Sequence, residues 1–125
     1  MSQPIILIID DDDDYQAVLK KCLSKEGYLC FSCYSVEDAL KQVADVSPDL
    51  VILDLGLNKA SGFAFLQNLS FYLKKDQKVP PVLVVSGNSD QEVVNFVTTT
   101  LGASCFIQKP VSSSQIISAV GSLLH

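Results

Sequence analysis

The chain has 125 residues, 48% of them hydrophobic and 18% charged, which suits one globular domain with a substantial core and excludes a disordered chain. Net charge is −5 and all nine basic residues are lysines; without arginine, the bidentate reading of base edges and phosphates has no donor, so direct nucleic-acid binding is not expected. The apolar runs are too short to span a bilayer and Met1-Ser-Gln-Pro4 opens no signal peptide, which predicts a cytoplasmic chain without membrane contact.

In chain order, Ile5–Ile9 is a continuous apolar run rich in β-branched residues and reads as a strand buried on both faces. Five aspartates follow, Asp10–Asp14. A helix begins at Asp14, with Val18, Leu19, Cys22 and Leu23 on one stripe, and stops at Gly27. Tyr28–Cys33 is strand-like. Cys30 and Cys33 have the CxxC spacing of redox and zinc sites, but residues three apart on a strand face opposite sides. No second pair exists and the only histidine is His125, so these cysteines read as small core groups.

Ser35-Val-Glu-Asp38 opens a second helix with Val36, Ala39, Leu40 and Val43 inward. Leu50–Leu53 is apolar and ends at Asp54; a loop leads to Gly62 and a helix marked by Phe63, Leu66 and Leu69. Pro80-Pro81 precedes the strand Val82–Val85, which ends at Ser86-Gly87. Ser89 and Glu92 have capping-box spacing before a helix carrying Val93, Val94, Val97 and Leu101, closed by Gly102. Cys105–Ile107 is the last strand, ending near Lys109-Pro110. Ser112 and Gln115 cap a final helix with Ile116, Ile117, Val120, Leu123 and Leu124 inward. Five strand–helix units predict a single doubly wound α/β domain over 1–125, a parallel sheet covered on both faces, with no output domain attached.

In such a sheet, ligands bind beyond the carboxyl ends of the strands. Those ends carry Asp10 and Asp11, Asp54, Ser86 and Lys109. Converging carboxylates raise one another's pKa unless a cation joins them, and Mg²⁺ suits few carboxylates with several waters. A lysine and a hydroxyl complete a set fitted to phosphoryl transfer, in which an aspartate can serve as nucleophile and become an acyl phosphate.

Ile-Ile-Asp10-Asp11-Asp12, Leu53-Asp54-Leu55, Val85-Ser86-Gly87 and Phe106-Ile-Gln-Lys109-Pro110 together resemble the receiver domain of two-component response regulators, in order and over the whole chain. The resemblance implies a flavodoxin-like three-layer fold with strand order 2-1-3-4-5. It implies Asp54 as phosphoacceptor, and Mg²⁺ (with Mn²⁺ as substitute) on Asp11, Asp54 and the Gly56 backbone carbonyl, with Asp10 acting through metal-bound water. Ser86 and Lys109 are then the groups that meet the phosphoryl oxygens, and Phe106 is the aromatic that turns inward on activation. The implied donor is a sensor histidine kinase or a histidine phosphotransfer protein. The implied output is a switched face of the fourth helix, fifth strand and fifth helix, read by a downstream protein partner. The chain would act as a monomer or a phosphorylation-dependent dimer, and would catalyse only its own phosphorylation and dephosphorylation. In this reading Asp12–Asp14 begin the helix, where negative charge is favoured. The chain departs from the family at Asn58, commonly proline, and at Ser61, commonly acidic; Gly56 and Asn88 fall where phosphoryl lifetime is modulated.

Each site residue alone has a blander reading: Asp54 a helix cap, Ser86 a turn residue, Lys109 a solvated lysine, Phe106 core. Their joint occurrence on four different strand ends favours the receiver. The enzyme alternative is a haloacid-dehalogenase-like phosphatase with Asp10 as nucleophile in an Asp10-x-Asp12 pattern. Against it, no further acidic motif follows Ile107, where Gln108-Lys109 stand. A pseudo-receiver that binds partners without phosphorylation is the interaction-class alternative.

Overall fold

A computed structural model describes residues 3–56, 59–87 and 90–125; Asn58, Asn88 and Ser89 lie outside the described residues. Five short strands form, β1, β3 and β4 from apolar runs rich in β-branched residues, and helical segments connect them. The order is β1 (Ile5–Ile9), α1 (Asp13–Lys25), β2 (Leu29–Cys33), α2 (Val36–Val46), β3 (Leu50–Asp54), α3 (Lys59–Tyr72), β4 (Val82–Ser86), α4 (Gln91–Asn95), β5 (Cys105–Gln108) and α5 (Ser113–Leu124). The strands are parallel in the order β2-β1-β3-β4-β5, the doubly wound arrangement that the alternating pattern predicts.

Strand alternation divides the core in two. Leu7, Ile9, Val51, Leu53, Val82 and Val84 pack with Ala39 and Val43 of α2, Phe65 and Leu69 of α3, and Val97. Ile6, Ile8, Leu50, Ile52, Leu83 and Val85 pack with Leu19 and Leu23 of α1 and Ile116 and Val120 of α5. The sheet is thus the middle of three layers, with α2, α3 and α4 on one face and α1 and α5 on the other. Cys30 belongs to the α1–α5 side and Cys33 to the α2–α3 side, both as free thiols, so the CxxC spacing makes no pair.

Local chemistry sets the helix ends. Asp12 caps α1, accepting from the N–H groups of Asp14 and Tyr15, so the helix begins one residue earlier than the periodicity places it. Gly27 and Gly102, at φ 91 and 80, turn the chain out of the helices before β2 and β5. Ser112 and Gln115 form the expected reciprocal capping box on α5. Three expectations need correction. Val18 is 53% exposed, because a helix lying on one sheet face buries only a narrow stripe, here Gln16, Leu19 and Leu23. The cap on α4 is Asp90, accepting from Glu92 N at 3.0 Å. Finally, α4 keeps its α-helical form only to Asn95 and continues as a π-helical turn, Phe96–Thr100, with Val97 its sole buried residue.

Candidate functional site

The carboxyl edge of the sheet carries the charged groups. Asp54 is the last residue of β3, the middle strand, and Asp10 follows β1 directly, its N–H continuing the ladder to Cys33 O at 3.0 Å. Both continue the parity of the α1–α5 face set by Ile6 and Ile8 and by Leu50 and Ile52. Ser86 ends β4 on the opposite parity, that of Val82 and Val84, and is 1% exposed. Lys109 extends β5 by one rung, its N–H donating to Ser86 O at 2.8 Å. The Lys109-Pro110 bond is cis.

Asp54 is held from two sides. Its Oδ1 accepts from Gly56 N at 2.6 Å, and its Oδ2 accepts from Lys109 Nζ at 2.5 Å. A Cβ at position 56 would stand 2.9 Å from Asp54 Oδ1, so glycine lets the loop close directly over the carboxylate. Burial pulls the Lys109 ammonium down, but the hydrogen bond it donates to Asp54 and the charges of Asp54 and Asp10 outweigh it and hold Lys109 above its ordinary value.

Asp10 is buried. Its Oδ1 accepts from Asp12 N at 3.0 Å, while its Oδ2 has no hydrogen-bond partner. Burial raises Asp10 to about 7, and the neighbouring Asp54 adds to the rise. Two ionised carboxylates have no proton to share, and although Lys109 offsets part of their repulsion, the pair favours a proton on one of them or a further cation beside them. Asp10, Asp11 and Asp54 line one cavity of about 200 Å³, whose other walls include Tyr34, Ser35 and Ser61. Among the described residues, no three Asp, Glu, His or Cys side chains are grouped closely enough to hold an ion alone. An all-oxygen donor set with an orphaned buried acceptor fits a hard divalent cation that keeps water and backbone oxygen among its ligands.

The structure therefore brings Asp10, Asp11, Asp54 and Lys109 together, with Ser86 joined to Lys109 through the backbone. Phe106 stands apart, partly buried on the α2–α3–α4 side. Four neighbours were not singled out as site residues from sequence. Tyr34 and Ser35 enter from the β2–α2 turn, and the ring of Tyr15 lies beneath Lys109 Nζ, 4.8 Å from centroid to nitrogen. Gln16, 1% exposed, donates from Nε2 to Ile8 O, Asp10 O and Cys33 O at 2.9–3.0 Å and so ties the ends of β1 and β2 together. The parity of α1 relative to β1 is the signal that could have found Tyr15 and Gln16.

A flavodoxin-like sheet with an acidic cluster at its β1/β3 edge defines the class. The chain belongs to the response regulator receiver domain family, whose family model matches residues 6–121. It is 30% identical to the regulatory protein VanR of Enterococcus faecium over 120 residues, covering 96% of this chain and 49% of VanR. It is 29% identical to the transcriptional regulatory protein AfsQ1 of Streptomyces coelicolor over 122 residues, covering 98% of this chain and 52% of AfsQ1. The chain thus spans about half the length of these relatives. Among solved structures, a CheY-like receiver domain protein from Methanospirillum hungatei superposes with a TM-score of 0.85 at 24% identity, covering 98% of this chain and 94% of that one; this likeness establishes the fold. Receiver domains are signalling domains of response regulators and not metabolic enzymes, which overturns the phosphatase alternative. Among the described residues, no helix is long and apolar enough to cross a membrane.

Proposed function

We propose that the chain is a phosphorylatable receiver in which Asp54 takes a phosphoryl group from a phosphohistidine of a sensor histidine kinase or a histidine phosphotransfer protein. The observation that carries this reading is the seating of Asp54 at the end of the middle strand, gripped by Gly56 N–H and Lys109 beside Asp10 and Asp11. An oxygen of Asp54 attacks phosphorus as the donor's P–N bond breaks. The imidazole nitrogen keeps the bonding electrons, and an acyl phosphate forms. Lys109 supplies a positive charge to the incoming oxygens and Ser86 a hydroxyl donor.

Asp11, Asp54 and the Gly56 carbonyl would hold Mg²⁺ (or Mn²⁺), with Asp10 acting through water. Such an ion, when bound, neutralises the carboxylates and the phosphoryl oxygens. Hydrolysis of the acyl phosphate restores Asp54, so the only reactions catalysed are the chain's own modification and its reversal. Ser86 and Phe106 lie on one side of the sheet, the side of α4, and this supports a switch in which Ser86 moves toward the phosphoryl group and Phe106 turns into the space released. Output then passes through the α4–β5–α5 face to a downstream protein partner. This region is read as cytoplasmic, without contact to nucleic acid, and as a monomer or a phosphorylation-dependent dimer.

Intact mass after incubation with acetyl phosphate and Mg²⁺ tests the reading. One added phosphoryl group is expected, lost with chelator and in Asp54→Asn. An adduct that survives the substitution and maps to Asp10 would sink this reading. Cation binding without any adduct, even with a phosphorylated histidine donor, would favour a pseudo-receiver.

A further inference from the structure

Lys109 is held on two sides. Asp54 Oδ2 accepts from its Nζ, and the Tyr15 ring presents its face to the same nitrogen at 4.8 Å from the centroid. Tyr15 is the third residue of α1 and packs against the α1–α5 core, so the ring is set by the fold and not by the ion it meets. Its hydroxyl is buried with no hydrogen-bond partner, which leaves the ring face as the polar surface in use. A lysine side chain that is 33% exposed has solvated rotamers open to it. An aromatic face draws such a cation inward, the more strongly where water is partly excluded.

We propose that Tyr15 is a positioning residue whose ring face holds the Lys109 ammonium over Asp54. The cation is then in place before a phosphoryl group arrives, and keeps a second support once that group separates it from the carboxylate. Only the second half of this rests on Asp54 being the phosphoacceptor. The holding of Lys109 on Asp54 can be tested in the unmodified chain.

Two substitutions separate the ring from the hydroxyl: Tyr15→Leu removes the face, and Tyr15→Phe keeps it. The first readout is the NMR signature of the Lys109 ε-methylene and ammonium in the unphosphorylated full chain, assigned by its loss in Lys109→Gln. Wild type and Tyr15→Phe should show one ordered environment, with resolved ring-current shifts on the ε-methylene protons. Tyr15→Leu should show averaged shifts at the values of a solvated lysine. The second readout is the rate of phosphoryl gain from acetyl phosphate at saturating Mg²⁺, expected to fall about fivefold in Tyr15→Leu and to be largely restored in Tyr15→Phe.

The proposal is overturned if Tyr15→Leu leaves the Lys109 signature unchanged, whatever happens to the rate. It is equally overturned if Tyr15→Phe loses as much as Tyr15→Leu, which would assign the role to the hydroxyl. Should Tyr15→Leu not fold, Tyr15→Met keeps apolar bulk without an aromatic face and the same comparisons apply. If the wild type takes no phosphoryl group, the proposed function fails while the NMR comparison still decides this inference.

Discussion

Cys33 illustrates how strand parity sets the chemistry of a single residue. Burial, with Asp38 adding, pushes its thiol from the ordinary 9.0 up to about 11, and burial also raises Cys30. Both should therefore resist alkylation at pH 8 in the native chain and react once urea unfolds it, as peptide mapping would show. The same shift bears on stability. Below pH 9 the Cys33 thiol is neutral in both states and its contribution is fully present; between about pH 9 and 11 the unfolded chain ionises first, so stability falls. Urea midpoints across that window should fall less steeply in Cys33→Ala, once its constant cavity cost is subtracted. A tighter constraint operates at Gly62, where an added Cβ would stand 2.1 Å from Cδ2 of the buried Leu55. Despite the better helix propensity of alanine, Gly62→Ala should cost about 1–3 kcal/mol by urea unfolding. The continuous apolar runs of β1, β3 and β4 made most core residues legible in the sequence. Phe65 was missed: it is fully buried, while the expected markers Phe63 and Leu66 are only half-buried, because the phase of α3 depends on where its first turn begins.

At the scale of elements, the aspartate run shows one sequence feature serving two structures. Asp10 and Asp11 enter the site cavity, and Asp12 caps α1. Asp12→Ala should cost about 1 kcal/mol, whereas Asp12→Asn, which keeps an accepting oxygen, should be close to neutral in the same thermal or urea measurement. Helix α4 is the weakest element, with five α-helical residues, a π-helical turn and Val97 as the only buried side chain of the stretch. The Phe63–Phe96 edge contact, at 5.0 Å between centroids, is one of its ties to α3. Amides of residues 93–100 should exchange with solvent well before those of β1, β3 and β4, which hydrogen-exchange mass spectrometry would resolve. This element was also the least legible one. Its valines predicted a helix, but a π-helical turn shifts hydrogen-bond register without changing the apolar pattern enough to be read.

For the whole molecule, the order of strands could be inferred from strand–helix alternation and the family motifs, and the five strand-end residues follow from that order. What the motifs could not give is the environment of each group: the orphaned oxygen of Asp10, or the ring beneath Lys109. The carboxylate pair gives the fold a reason to prefer a bound cation, since a ligand that binds only the native state stabilises it. Mg²⁺ at about a hundred times its Kd should stabilise the domain by about 2.7 kcal/mol, seen as a rise in Tm that chelator reverses and Asp54→Asn diminishes. The alternation that builds the core has one more consequence. Phe106 and Lys109 are three residues apart, an odd interval that places one on the α4 side and the other beside Tyr15 on the α1 side. The sheet therefore separates the Lys109 ammonium from the Phe106 ring, while Ser86 shares the side of the ring. A single residue inserted or deleted between positions 106 and 109 would put both on the same side, so their separation is fixed by a count of peptide units.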